Sequence, residues 1–458
     1  MQDNNKLEFY KKKVLVVGLG ISGLYTARLL SAHGAEVTVS EILPESDLDP
    51  EMLNEMGDLG ITLETGGHKE ETFLNAEMVI ISPGVPHDTV LLNALRKRNI
   101  PVIGELEAAG RLIDTPMIAV TGTNGKSTVT AFFGCMLENA GFRVFVGGNI
   151  GTPLAAYAAG DKKADYAVVE VSSFQLDTIE TFCPFVSVVL NISPDHLDRY
   201  PGYEAYAQSK LKIFGNQGPG QYVILNDDDE TLCAVNLYSG VTVLRYGTEK
   251  KQGRHAYIED EKIQAFMDGA EPNTFSFKSF SLPGTHNLEN LLPAVLGGLA
   301  LGIDTPVIQK TIDEFKGLPN RLEQVAEHDG VAFYNDSKAT NVDAAVRAVM
   351  SFKRSIILIA GGRHKGADYV ALAKAAKGKV RKAVFLGEAK DLLAESFEGI
   401  VPFSMAENME EAVAMSFESA ENGDAVLLSP ACSSFDMFTD YSHRGREFKT
   451  AVLRVIHG

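Results

Sequence analysis

Short apolar runs recur along the chain, and each ends in glycine or polar residues before a stretch with helical spacing begins. Residues 14–17 are continuously apolar and enter Gly18-Leu19-Gly20-Ile21-Ser22-Gly23; a helical pattern then continues to Leu30, and a second apolar run covers 37–39. This predicts a β-α-β opening. The run 78–81 ends in Ser82-Pro83-Gly84, and a helical segment with Leu91, Leu92 and Leu95 leads to Ile100-Pro101-Val102-Ile103. A fresh strand at 117–120 enters Thr121-Gly122-Thr123-Asn124-Gly125-Lys126-Ser127-Thr128 and a helix carrying Phe132, Phe133, Met136 and Leu137, which stops at Gly141. Runs at 167–169 and 186–190 end in Glu170-Val171-Ser172-Ser173 and in Asn191-Ile192-Ser193-Pro194-Asp195-His196. After Gly317-Leu318-Pro319 the alternation restarts, with strands predicted at 331–334, 356–360, 383–386 and 425–428.

Unbroken apolar strands alternating with helices predict an α/β protein with parallel sheets. The 458 residues exceed what one core supports, and three α/β domains are expected, at 1–104, 105–317 and 318–458. Asp and Glu outnumber Lys and Arg by 60 to 42, and the net charge of -18 opposes nonspecific attraction to nucleic acid or anionic lipid. No apolar run reaches the roughly 18 residues of a membrane span, and the polar N-terminus lacks a signal-peptide core. The four cysteines lie far apart without metal-binding or redox spacing, which suits a reduced cytoplasm. A cytoplasmic monomer without nucleic-acid or membrane partners is expected.

The 121–128 string departs from the usual phosphate-loop pattern only in Val120, which takes the first glycine position. Its chemistry is otherwise complete. Gly122, Thr123, Asn124, Gly125 and Thr128 offer backbone N–H groups at a helix start, Lys126 supplies charge, and Ser127 suits Mg²⁺, so ATP is expected there. The earlier loop at 18–23 fits G-x-G-x-x-G, with Glu41 where a ribose-binding acid would sit; alone it suggests NAD, and simple turn chemistry accounts for it as well. Glu170 and the Asp195-His196 pair follow separate strands and suit metal binding near a triphosphate. Lys210, in the helical stretch 203–214, reads by itself as a solvated lysine. The stretch 221–281 carries no motif; its strand-like runs near 241–244 and 275–277 are read as serving folding alone.

Together these residues resemble the Mur ligases, the ATP-dependent amino-acid-adding enzymes of peptidoglycan precursor synthesis. The resemblance rests on the 121–128 string, Gly147-Gly148-Asn149-Ile150-Gly151, Asn191-Ile192-Ser193-Pro194-Asp195-His196-Leu197-Asp198, and His286-Asn287 with Asn290. Three further strings, Glu170-Val171-Ser172-Ser173-Phe174-Gln175-Leu176, Asn335-Asp336-Ser337-Lys338-Ala339-Thr340-Asn341 and Leu428-Ser429-Pro430-Ala431-Cys432-Ser433-Ser434, are similar to those of members that add D-glutamate to UDP-N-acetylmuramoyl-L-alanine.

The resemblance implies a Rossmann-like N-terminal UDP-binding domain, a central P-loop ATPase domain and a Rossmann-like C-terminal domain for the amino acid. It assigns Gly20, Ile21, Ser22, Glu41, Ser82, Gly84 and Asn149 to the UDP-sugar, in place of NAD. Asn290, Arg321 and Asp336 join the phosphate loop at ATP. One Mg²⁺ would sit on Ser127 and Glu170, and a second on His196 and Lys210, with Lys210 carbamoylated. Lys126, His196, Lys210 and Lys338 are the implied catalytic set, and Thr340, Lys365, Ser434 and Tyr441 the implied D-glutamate site. Asn320 stands where D-glutamate-adding members often carry histidine. Three ligands on three domains further imply closure over the reacting groups.

Overall fold

The apolar runs become strands of three sheets. The computed structural model describes residues 8–161, 163–196, 199–237, 240–280, 282 and 284–457. The first sheet is formed by β1 (Lys13–Val17), β2 (Glu36–Ser40), β3 (Thr62–Glu64), β4 (Met78–Ile81) and β5 (Val102–Gly104), in the order β3-β2-β1-β4-β5. All its pairings are parallel. Both faces of β1 and β4 are covered, which is why these strands read as continuous apolar runs.

The second sheet contains β6 (Met117–Thr121), β7 (Val144–Gly148), β8 (Tyr166–Glu170), β9 (Val186–Val189), β10 (Tyr222–Asn226), β11 (Thr242–Tyr246), β12 (Ala256–Glu259), β13 (Lys262–Ala265) and β14 (Asn273–Ser276). Their order is β14-β13-β12-β11-β10-β9-β6-β8-β7. The strand that enters the phosphate loop, β6, thus lies between β8 and β9, whose ends carry Glu170 and the 191–196 string. The motif-free stretch after residue 221 supplies the whole β10 to β14 side, which includes the antiparallel β12–β13 hairpin, whose turn residues Asp260 and Glu261 take left-handed φ of 51° and 57°.

The third sheet has the order β15-β16-β20-β17-β18-β19, from β15 (Glu323–His328), β16 (Val331–Asn335), β17 (Ile356–Gly361), β18 (Val380–Leu386), β19 (Phe403–Met405) and β20 (Ala425–Leu428). Alternate residues feed separate cores on its two faces: Leu358, Phe385 and Leu427 on one, Ile359, Val384 and Val426 on the other. The β15–β16 edge pair is antiparallel, and the remaining pairings are parallel.

The chain divides into two compact units. The first runs to Phe275 and includes Leu292–Thr311, so it holds the first two sheets; the second comprises Ser276–Leu291 and the chain from Ile312 onward, with the third sheet. Among the described residues no helix is long and apolar enough to cross a membrane.

Candidate active site

In the first unit, β1 hands the chain through Gly18 (φ 88°) into helix α1 (Ile21–Ala32). A Cβ on Gly23 would lie 1.9 Å from the Gly18 carbonyl oxygen, so only glycine permits this close return of the loop on itself. The loop borders a cleft of about 510 Å³. Gly20, Ile21, Ser22, Glu41, Ser82, Gly84 and Asn149 all line it, as do His68 and Gln175. Glu41 is engaged with the scaffold: its carboxylate accepts the Leu19 N–H at 2.5 Å and the Leu43 N–H at 3.0 Å, tying the glycine loop to the end of β2. Ser82 donates its hydroxyl to the Gly18 carbonyl at 3.0 Å, fixing the same loop from β4.

The phosphate loop turns between β6 and helix α2 (Lys126–Asn139) at Gly122 and Gly125, with left-handed φ of 150° and 87°. A Cβ at Gly122 would meet Leu190 Cβ at 3.0 Å. Asn191 holds the loop shape. Its backbone carbonyl accepts the Thr123 N–H, and its side chain accepts the Asn124 N–H and donates to the Asn124 carbonyl. The buried Ser127 hydroxyl donates to Glu170 Oε2 at 2.5 Å, and the Asn149 amide donates to Glu170 Oε1 at 2.8 Å. Glu170 therefore joins the phosphate loop to the wall of the cleft.

Lys210 departs from its solitary reading as a solvated lysine. Helix α3 (Tyr203–Leu211) turns it inward, where its side chain is buried, with Nζ donating to the Gly122 carbonyl at 2.9 Å and lying 4.7 Å from the centre of the Tyr206 ring. Lys126 Nζ donates to that carbonyl, also at 2.9 Å, and to the Thr123 carbonyl. Burial, and after it the charge of Lys126, holds the Lys210 amine well below the usual lysine range. His196, at a left-handed φ of 53°, places its ring against Phe174 at 4.9 Å and 6.4 Å from the Tyr206 ring. The structure thus brings Lys126, Ser127, Glu170, His196 and Lys210 to one end of the second sheet; Leu197 and Asp198 of the same string lie outside the described residues. Among the described residues no three His, Cys, Asp or Glu side chains form a metal cage. The Ser127 and Glu170 oxygens instead form a hard donor pair, of the kind that suits Mg²⁺ when phosphates and water complete its shell.

In the second unit, Arg321, Asp336, Lys338, Thr340, Lys365 and Ser434 lie on loops beside the carboxyl ends of β16, β17 and β20, and Tyr441 opens the last helix. Asp336 is buried after β16; it accepts from the Ser429 hydroxyl and the Leu322 N–H, and burial raises its carboxyl to about 7 against the nearby charge of Arg321. Lys338 Nζ donates to the Tyr441 hydroxyl at 3.1 Å and lies 4.5 Å from its ring centre. Burial alone would raise that hydroxyl's pKa, but the bond and charge of Lys338 bring it below its usual value. Lys365 is exposed and Ser434 is buried. The Ser433 hydroxyl beside Ser434 is buried with no hydrogen-bond partner among the described residues. Asn290 sits on helix α4 (Thr285–Ala300), one turn after His286, whose imidazole burial and the charges of Arg347 and Arg321 hold near 4. Asn320 takes a left-handed φ of 64° and accepts from the Asn335 amide, a scaffold bond.

Family models match along the chain: the Mur ligase MurD-like N-terminal domain at residues 12–104, the Mur ligase middle domain at 120–297, and the Mur ligase glutamate ligase domain at 320–432. A relative from Desulfosudis oleivorans, named UDP-N-acetylmuramoylalanine--D-glutamate ligase, is 44% identical over 99% of this chain and 98% of its own. The chain belongs to the Mur ligase family. A relative of the same name from Geotalea uraniireducens is 41% identical, covering 99% of both chains. The structure of a pseudomurein peptide ligase type C from Methanothermus fervidus superposes with a TM-score of 0.62 at 20% identity, over 97% of this chain and 100% of that one, and supports the shared three-domain fold. As a family member, the chain is an ATP-dependent ligase that forms amide bonds.

Asn191, Tyr206, His68 and Gln175 were not singled out by sequence. Asn191 and Gln175 stand inside quoted motif strings, and Tyr206 lies one helical turn before Lys210, so these three had a signal; His68 had none.

Proposed function

We propose that this chain adds D-glutamate to UDP-N-acetylmuramoyl-L-alanine at the expense of ATP, through an acyl phosphate, in cytoplasmic peptidoglycan precursor synthesis, and that it acts as a monomer. The observation that carries the reading is the end-to-end match to relatives of that name. The cleft supports it, since all seven residues assigned to the UDP-sugar line the one space of about 510 Å³.

A free carboxylate is a poor electrophile because it would have to expel oxide. On this reading the L-alanyl carboxylate attacks the γ-phosphorus of ATP, the bond to ADP breaks, and the carboxyl becomes an acyl phosphate. Two anions approach each other only where fixed positive groups offset their repulsion. Lys126, the loop N–H groups of residues 122–128 and Arg321 serve that end, with Lys338 at the transferring phosphate and Asn290 and Asp336 at the nucleoside. Mg²⁺, when bound, adds charge neutralisation at the phosphates: Ser127 and Glu170 would hold one ion, and His196 with a carbamoylated Lys210 a second. A lysine ammonium cannot ligate a cation, but the depressed basicity of Lys210 supplies the neutral amine that carbamoylation requires. The D-glutamate amine, its carboxylates held by Thr340, Lys365 and Ser434 beside Tyr441, then attacks the acyl carbon. The tetrahedral species collapses with loss of inorganic phosphate, which carries away the proton given up by the nitrogen, and His196 orients the reacting groups.

The test is phosphate release with UDP-N-acetylmuramoyl-L-alanine, comparing D-glutamate with L-glutamate, meso-diaminopimelate and L-lysine. Release that depends on D-glutamate alone is expected. Release with another of these amino acids and none with D-glutamate would overturn the assignment.

A further inference from the structure

Arg444 is among the largest fully buried side chains of the molecule, and nothing in its sequence context marks it out. It lies on helix α5 (Tyr441–His457), one turn after Tyr441. Its Nε donates to the Ser337 hydroxyl at 3.0 Å and Nη2 to the Ser337 carbonyl at 2.8 Å. Nη1 and Nη2 each reach the Cys432 carbonyl at 3.1 Å, and Nη1 also reaches the carbonyls of Ser433 at 3.2 Å and Gly361 at 3.4 Å. Every one of these acceptors is a neutral oxygen.

The three acceptor segments are the loops that carry the second unit's candidate residues. Ser337 lies between Asp336 and Lys338, Gly361 opens the turn to Lys365, and Cys432 and Ser433 lead into Ser434. Room for the guanidinium comes from glycine: a Cβ on Gly362 (φ 135°) would lie 2.2 Å from the Ser433 carbonyl oxygen and 3.0 Å from Arg444 Nη1. The Ser337 hydroxyl in turn donates to the Tyr441 carbonyl at 2.8 Å, so the first turn of the helix grips the same loop twice.

The geometry points to Arg444 as a positioning residue that sets the phosphate-side and amino-acid-side loops of the second unit from one buried guanidinium. The inference rests on the reading above, in which those loops receive ATP and D-glutamate. Burying a charge without a carboxylate in hydrogen-bond contact is costly, and an apolar side chain would fill the volume at less expense. Only the rigid five-donor fork of arginine can bind carbonyls from three chain segments at once. Burial lowers its pKa to about 10, partly offset by Cys432, Asp436 and Asp336, so it stays charged at neutral pH. That fixed charge beneath the loops also favours anionic ligands above them.

The test uses the full-length protein with Arg444→Lys, which keeps the charge and loses the fork. The expected result is that KM for ATP and for D-glutamate rise together, each by about tenfold or more, while KM for the UDP-sugar stays within about twofold. Unchanged KM values with a lowered melting temperature and a reduced active fraction would reduce Arg444 to a packing role and overturn the inference. If Arg444→Lys does not fold, Ser337→Ala removes only the hydroxyl that accepts from Nε and donates to the Tyr441 carbonyl, leaving the guanidinium and its carbonyl acceptors in place: KM for ATP is expected to rise with little change for D-glutamate, and an unchanged KM for ATP would count against the inference. Hydrogen exchange separates this outcome from failure of the substrate assignment. Without any substrate, amides of residues 336–340 and 432–434 should exchange faster in Arg444→Lys while those of 122–128 do not; equal protection in both proteins would sink the positioning role even if D-glutamate proved to be the substrate.

Discussion

Lys126 and Lys210 donate to the same backbone oxygen, the carbonyl of Gly122, at 2.9 Å each. Lys126 is partly open to solvent, whereas Lys210 is buried, so the shared neighbourhood favours loss of the proton from Lys210. A neutral amine can take up carbon dioxide as a carbamate. Lys210→Ala should therefore lose at least about a hundredfold in turnover, and added formate or acetate should restore part of it by standing in for the carbamate. Steady-state phosphate release measures both effects. A Lys210→Ala enzyme of undiminished activity without added carboxylate would rule the role out.

Glu41 accepts two backbone N–H groups, one from the glycine loop and one from the segment after β2. Glu41→Gln keeps the shape but replaces charge-assisted bonds with neutral ones, at a cost of about 1–2 kcal/mol to local order. KM for the UDP-sugar should rise several-fold with KM for ATP unchanged. Equal changes in the two values would show that the carboxylate acts on overall stability and not on the cleft.

Tyr441 meets Lys338 through both its ring and its hydroxyl. Tyr441→Phe keeps the ring and removes the oxygen that steers the ammonium. If Lys338 works at the transferring phosphate and the ring alone serves D-glutamate, kcat should fall about three- to tenfold while KM for D-glutamate moves little. A rise confined to KM for D-glutamate would assign the hydroxyl to the amino acid instead.

The parallel cores of all three sheets were legible because strands covered on both faces are written as unbroken apolar runs, as β1, β4 and β20 are. The short or half-exposed strands were not. In β3, β7, β15 and β19 the pattern is broken by exposed residues, so periodicity gives no clear period, and only packing against a stronger neighbour makes them strands. The phosphate loop was visible because glycine and lysine are required at fixed spacing. The burial of Lys210 was not, since a helix of nearly even polarity does not say which side faces inward. Arg444 was hidden for a related reason: its partners are carbonyls from segments up to 107 residues away, and a backbone acceptor leaves no trace in residue identity.

Asp336 offers the clearest coupling of pH to function. Its carboxyl is raised by burial to about 7, above the ordinary 3.8, so the folded state holds a proton that the unfolded chain has released. Its contribution to stability is therefore fully present below about pH 4 and is lost as pH rises through 7. On the proposed reading Asp336 meets the ribose, whose hydroxyls are donors best accepted by the ionised carboxylate, so binding and stability pull in opposite directions across this range. From pH 6 to pH 8 the KM for ATP should fall by up to about tenfold, following the ionised fraction of a group with that pKa. Asp336→Asn removes the titration. It should hold KM for ATP near the wild-type value at pH 6 across the whole range, and raise the melting temperature at pH 8 while leaving it nearly unchanged at pH 4. Titration of ATP itself would give the variant the same slope as the wild type, so a variant whose KM still falls between pH 6 and pH 8 would move the effect from Asp336 to the nucleotide.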